Sequence, residues 1–115
     1  MVWFSDPSSG GAKITPARQR DTTERLMAHA EKHYAGMYTK LIIRFREQFC
    51  YIDAEQKGEK HPLHLCRLRH YDRDRWSLGF FAYSSEKYEL AMFPSGDFFG
   101  TPEEGLDVGA VYLQP

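Results

Sequence analysis

The apolar residues of this chain change their spacing twice. Between Asp21 and Met37, residues Leu26, Met27, Ala30, Tyr34 and Met37 recur at three- and four-residue intervals, which places them on one helical face. Asp21 with Glu24 supplies an N-terminal box, and Gly36 a stop. From Lys40 the spacing falls to two. Lys40 to Arg46, Phe49 to Ala54, Leu63 to Tyr71, Trp76 to Tyr83 and Lys87 to Phe93 read as strands. Their connections are polar. Glu47-Gln48 predicts a tight hairpin without the usual glycine, Glu55 to Pro62 a longer loop, and Asp72 to Arg75 a charged turn. In Pro94-Ser95-Gly96-Asp97, Pro presets φ and Gly permits a positive φ. Phe98-Phe99 adds a short strand. At Thr101 the helical signal returns, with Thr101 as N-cap, Pro102 at N1 and Glu104 at N3. Leu106, Gly109, Ala110 and Leu113 then share a face. The small residues on it cost helix propensity, about 1 kcal/mol per glycine, and let the helix lie close to a sheet.

These elements predict an α+β fold. It is an antiparallel β-meander of four to five strands, with a C-terminal helix packed on one face and an N-terminal helix. The chain divides into a flexible N-terminal arm (1–20), an N-terminal helix extension (21–36) and a single α+β domain (37–115). The Ser-, Gly- and Pro-rich run from Ser5 to Pro16 buries too little to offset its ordering entropy. Trp3 and Phe4 before it are expected to dock on the domain or on a partner. Both faces of the Trp76 to Tyr83 strand are apolar, so both need a cover. The C-terminal helix covers one. The N-terminal helix or a second subunit is expected on the other, which makes homodimerisation through the sheet an expectation.

Composition narrows the function. At 115 residues the chain suits one domain. A net charge of −1 excludes a polycation that coats nucleic acid indiscriminately, so any such role rests on a local patch. The two cysteines form no CxxC pair and no disulfide framework. No signal peptide and no apolar run of membrane-spanning length is expected, which suits a cytoplasmic protein with reduced thiols.

Several segments carry a resemblance. LIIRFREQFCYIDA, HLCRLR, RWSLGFFAYSSEKYE and FPSGDFFGTPEEGLDVGAVYL resemble a family of short uncharacterised bacterial proteins, over Met37 to Leu113. That resemblance implies a fold and carries over no catalytic residue. It also implies that the first 36 residues are an extension of the shared domain. Locally, GTPEE at a strand-to-helix junction is similar to a feature of HicB-type antitoxins.

Alternation places the candidate chemistry. Arg44 and Arg46 point to one side of their strand, and pairing across a two-residue turn sets Arg46 opposite Phe49 and Arg44 opposite Tyr51. A third strand brings Arg67, Arg69 and Tyr71 to the same side, and Arg73 and Arg75 could extend it. Rings flanked by guanidinium groups form a stacking platform for single-stranded nucleic acid. The plainer account is a solvated face whose arginines pair with Glu47, Asp53, Asp72 or Asp74. His64, Cys66 and His70 fall on one side of their strand, with His61 and Cys50 near, and are zinc-ligand types. Their spacing matches no finger or knuckle, so no metal and no cofactor is expected. No GxSxG, HExxH or phosphate-loop pattern is present. A small enzyme would need a site around His64, His70 and Asp72. The reading is a non-catalytic binding module with no membrane association. A homodimer is expected within this reading, and its nucleic-acid surface comprises Arg44, Arg46, Phe49, Tyr51, Arg67 and Arg69. An antitoxin-like partner module is the alternative.

Overall fold

The computed structural model describes residues 6–113. Trp3 and Phe4 lie outside that range. Helix α1 (Pro16–Tyr34) precedes strands β1 (Lys40–Arg46), β2 (Phe49–Glu55), β3 (Leu63–Asp72), β4 (Arg75–Ala82), β5 (Lys87–Ala91) and β6 (Phe99–Gly100). Helix α2 (Pro102–Gly109) follows and ends in a 3-10 turn, Ala110–Tyr112. Strands β1 to β5 form an antiparallel meander in chain order. The short β6 lies along β4 beside Trp76 and Ser77, extending the edge that β5 forms farther on. The fold is α+β, as expected.

The first hairpin has the expected register, Arg46 opposite Phe49 and Arg44 opposite Tyr51. Its turn places Glu47 at a φ of 53°, and Arg73 and Glu86 hold similar angles of 42° and 54° in the β3–β4 and β4–β5 turns. A left-handed non-glycine residue costs roughly 1–2 kcal/mol, which the flanking ladders offset. Alternation buries Leu41, Cys50, Ile52, Leu68, Trp76 and Leu78 on one face. Two irregularities interrupt the ladders, one between β3 and β4 at His70 to Asp72 and one between β2 and β3 at Ile52 and Asp53. Ile52 pairs with Cys66 but Asp53 pairs with His64, so Leu65 is an extra residue on β3.

Helix α1 starts at Pro16, five residues before the expected Asp21. Thr15 is the N-cap, and its Oγ1 accepts a hydrogen bond from Arg18 N at 3.2 Å. Pro16 sits in the first turn, where no N–H is needed. Asp21 lies inside the helix, 3.7 Å from Arg25. The buried stripe is Thr22, Leu26 and Ala30. Met27, expected on that stripe, is 39% exposed, a turn of about 100° round the helix from Leu26.

At α2 the expected capping box is present. Glu104 N donates to Thr101 Oγ1 at 3.3 Å, and Thr101 N donates to Glu104 Oε1 at 3.0 Å. The small residues permit the close approach. A Cβ at Gly105 would lie 2.6 Å from Leu68 Cδ2, and one at Gly109 would lie 3.0 Å from the Leu65 carbonyl.

The N-terminal helix, expected from sequence as a cover for part of the second face of the sheet, does not lie there. It lies beside α2 on the same face, where Leu26 and Ala30 join Leu41, Ile52, Leu68 and Leu106 in one core. Charge fixes the pairing. Arg25 donates to Asp74 at 2.7 and 2.9 Å and to Glu103 at 2.7 and 2.9 Å, tying α1 to α2 and to the β3–β4 turn. His29 Nε2 lies 2.7 Å from Asp107 Oδ1, and Tyr34 donates to the same oxygen.

Residues 6–15, expected as part of a free arm, lie against the sheet. Ala12 N donates to the His70 carbonyl at 2.8 Å and Ile14 N to the Glu47 carbonyl at 2.9 Å. Ile14 is buried in the core. Both cysteines are free and buried. Among the described residues, no helix is long and apolar enough to cross a membrane.

Candidate nucleic-acid interface

The face opposite the helices carries the arginines. On it β1 places Arg44 and Arg46, β2 places Phe49 and Tyr51, and β3 places Arg67 and Arg69. The Arg44 guanidinium lies 5.0 Å from the Tyr51 centroid. Those of Arg67 and Arg69 lie 4.4 and 4.7 Å from the Phe49 centroid. Arg46 is across the ladder from Phe49 and is exposed. All six residues singled out in the sequence thus share one face.

The structure adds further aromatic residues to this face. Tyr88 of β5 leans over the sheet, with its ring 5.7 Å from Tyr51 and 5.0 Å from Phe81. Phe81 in turn lies 4.7 Å from Tyr83. Rings therefore run without a break from β2 to the end of β4. Tyr88 also faces Arg67 at 5.2 Å. Burial, then the nearby Asp53 carboxylate, pushes the Tyr88 phenol well above its ordinary range, so it stays neutral at pH 7. Of the outlying arginines, Arg75 joins a separate cluster, 4.1 Å from Phe99 and 5.6 Å from Tyr71.

Asp53 is the carboxylate built into this face. It is 5% exposed, accepts from Arg44 Nη2 at 3.3 Å, and lies 3.0 Å from His64 Nδ1. The ion pair expected for one arginine is present here, whereas Asp74 serves Arg25 instead.

Residues 6–10 cross part of the face. Arg69 donates to the carbonyls of Gly10 at 2.8 Å and Ser8 at 3.1 Å. The Tyr71 hydroxyl lies 2.7 and 2.9 Å from those of Asp6 and Ser9, and its one proton is shared between them, while Ser77 donates to that of Pro7 at 2.6 Å. The segment stays polar and solvated on its outer side, and its carbonyls occupy donors of the sheet.

The histidines and cysteines do not converge. The extra residue at Leu65 turns His64 to the open face, away from Cys66 in the core. His70 is buried against Trp76, with Nε2 3.1 Å from the Arg73 carbonyl. Burial pushes both thiols well above their ordinary range, which removes thiolate character. No group of three or more metal-ligand side chains converges among the described residues. His64 and His70 are also six positions apart on one strand, roughly 20 Å, and Asp72 is exposed at its end. The structure does not assemble the His64, His70 and Asp72 site.

Comparison with protein-family models, curated proteins and solved structures gives no significant match for this chain.

Proposed function

We propose that the protein is a non-catalytic binding module that takes single-stranded nucleic acid on the helix-free face of its sheet. The observation that carries this reading is the alternation of guanidinium groups and rings across β1, β2, β3 and β5, at 4.4–5.2 Å. Ring faces accept unpaired bases, and guanidinium groups accept phosphates between them. A duplex keeps its bases stacked inside and offers nothing to the rings. The chain is near neutral overall, so attraction comes from this patch alone. Two free, buried thiols suit a cytoplasmic setting.

Fluorescence anisotropy with labelled single-stranded RNA and DNA tests the reading. Affinity is expected to fall with salt, and Arg67→Gln is expected to reduce the log–log salt slope by about 0.7. Phe49→Ala is expected to cost about 1–3 kcal/mol by removing one stacking partner. Unchanged anisotropy with both polymers at low salt removes the proposal.

A homodimer is the second reading. Edge strand β5 leaves Leu90 45% exposed, and Met92 beyond it is 52% exposed. Sedimentation equilibrium of the full chain decides it, and a monomer at all concentrations removes this reading.

A further inference from the structure

We infer that Arg67 and Arg69 form a subsite for one phosphate group, roofed by the N-terminal segment. The inference rests on the proposed nucleic-acid surface for the origin of that phosphate.

Arg67 lies opposite a β4 position that carries no side chain. Its partner on β4 is Gly79, and a Cβ there would stand 3.6 Å from Arg67 Nε and 3.2 Å from Tyr88 Cβ. The approach to Tyr88 is tight, whereas that to Arg67 is ordinary van der Waals contact. The guanidinium is flanked by Phe49 at 4.4 Å and Tyr88 at 5.2 Å. Rings satisfy the faces of a guanidinium and leave its in-plane N–H donors for an acceptor. Among the described residues, none of these donors has a hydrogen bond or an ion pair.

Arg69 brings a second positive charge to the same ring, 4.7 Å from the Phe49 centroid. Its donors meet the Ser8 and Gly10 carbonyls, which accept hydrogen bonds without neutralising charge. The nearby Asp6 carboxylate is engaged by Ser8. The N–H and hydroxyl of Ser8 hold its pKa low, and Arg69 acts on it only through space. Two half-buried guanidinium groups thus converge with no ion-paired carboxylate among the described residues.

Between them is a cavity of about 110 Å³, lined by Ser8, Arg67, Arg69, Ser77, Gly79 and Tyr88 among others. Pockets for drug-sized ligands run about 300–1,000 Å³. This one has room for a single oxyanion and not for a sugar with its base. A phosphate seated here would take the free donors of Arg67 edge-on and offset the paired charge. The bases on either side would then reach the rings of Phe49, Tyr51 and Tyr88.

NMR of arginine Nε–Hε groups in the full chain tests this, with inorganic phosphate as titrant and chloride at matched ionic strength as control. The Arg67 signal is expected to shift saturably with phosphate alone. Arg67→Gln is expected to weaken the apparent affinity, read from the Arg69 signal, by at least about tenfold, while Arg20→Gln, an exposed arginine on α1, leaves it unchanged. A shift that tracks ionic strength, or one equal in Arg67→Gln, overturns the inference. An abasic oligodeoxynucleotide separates the sources. If it displaces phosphate, the phosphate belongs to the chain backbone. If phosphate saturates and the oligonucleotide does not compete, the anion site stands for free phosphate and the nucleic-acid reading falls. If base-bearing strands bind while phosphate leaves Arg67 unmoved, the subsite falls and the nucleic-acid reading stands.

Discussion

Gly11 sits at a φ of 109°, and a Cβ there would lie 2.6 Å from the His70 carbonyl oxygen. That oxygen is the acceptor for Ala12 N, so the clash falls on one of the bonds that hold residues 6–12 to β3. Gly11→Ala is expected to cost about 1–3 kcal/mol locally and to raise hydrogen exchange at the Ala12 amide. Exchange equal to wild type would show that this contact does not hold the segment. Other residues differ in how readable they were. Arg44, Arg46, Phe49 and Tyr51 were placed by alternation, because a two-residue turn leaves one register for a hairpin. His64 was misplaced because Leu65 is one residue too many on β3, and a single insertion reverses every side chain beyond it. Phe81 and Tyr88 stood out as strand aromatics but were not joined to the arginine face, because the approach of Tyr88 to Arg67 comes from strands that are distant in sequence.

At the scale of elements, the two helices open on the same pair of residues, Thr15-Pro16 and Thr101-Pro102. The second was legible since Glu104 completes its box. The first was masked by Asp21 and Glu24, which look like a box but lie inside the helix. Thr101→Ala is expected to lower stability by about 1 kcal/mol, read as a lower urea midpoint with an unchanged slope. An unaltered midpoint would mean that burial of Leu106 and its neighbours holds α2 without the cap. The hairpins were legible from strand alternation despite lacking glycine. Glu47, Arg73 and Glu86 take the left-handed positions that glycine or asparagine would signal.

At the scale of the whole molecule, Arg25 is the clamp that joins α1, α2 and the β3–β4 turn. Hydrogen bonding from Arg25, chiefly, holds the Asp74 carboxyl below its ordinary range. A depressed folded-state pKa contributes stability above the unfolded value of about 4 and loses it as pH falls through the folded one. Wild-type stability is therefore expected to drop more steeply than that of Asp74→Asn below about pH 4. The side chain of Asp74 is 42% exposed, so the difference will be small. Urea midpoints across the acid range measure it, and parallel curves would show that the clamp contributes nothing to acid stability.

The amino-acid sequence by itself determined the α+β class, the meander, the register of the first hairpin and the capped start of α2. These depend on spacing and on neighbours within a few residues, where backbone angles and side-chain direction are set locally. Only the tertiary structure decided that both helices share one face, that residues 6–10 cross the other, and that Arg67 and Arg69 converge on Phe49. Those arrangements depend on contacts far apart in the chain, such as Arg25 with Glu103 and Pro7 with Ser77. Local pattern says which side of an element is apolar, but the side it meets is decided by the burial and charge of every other element.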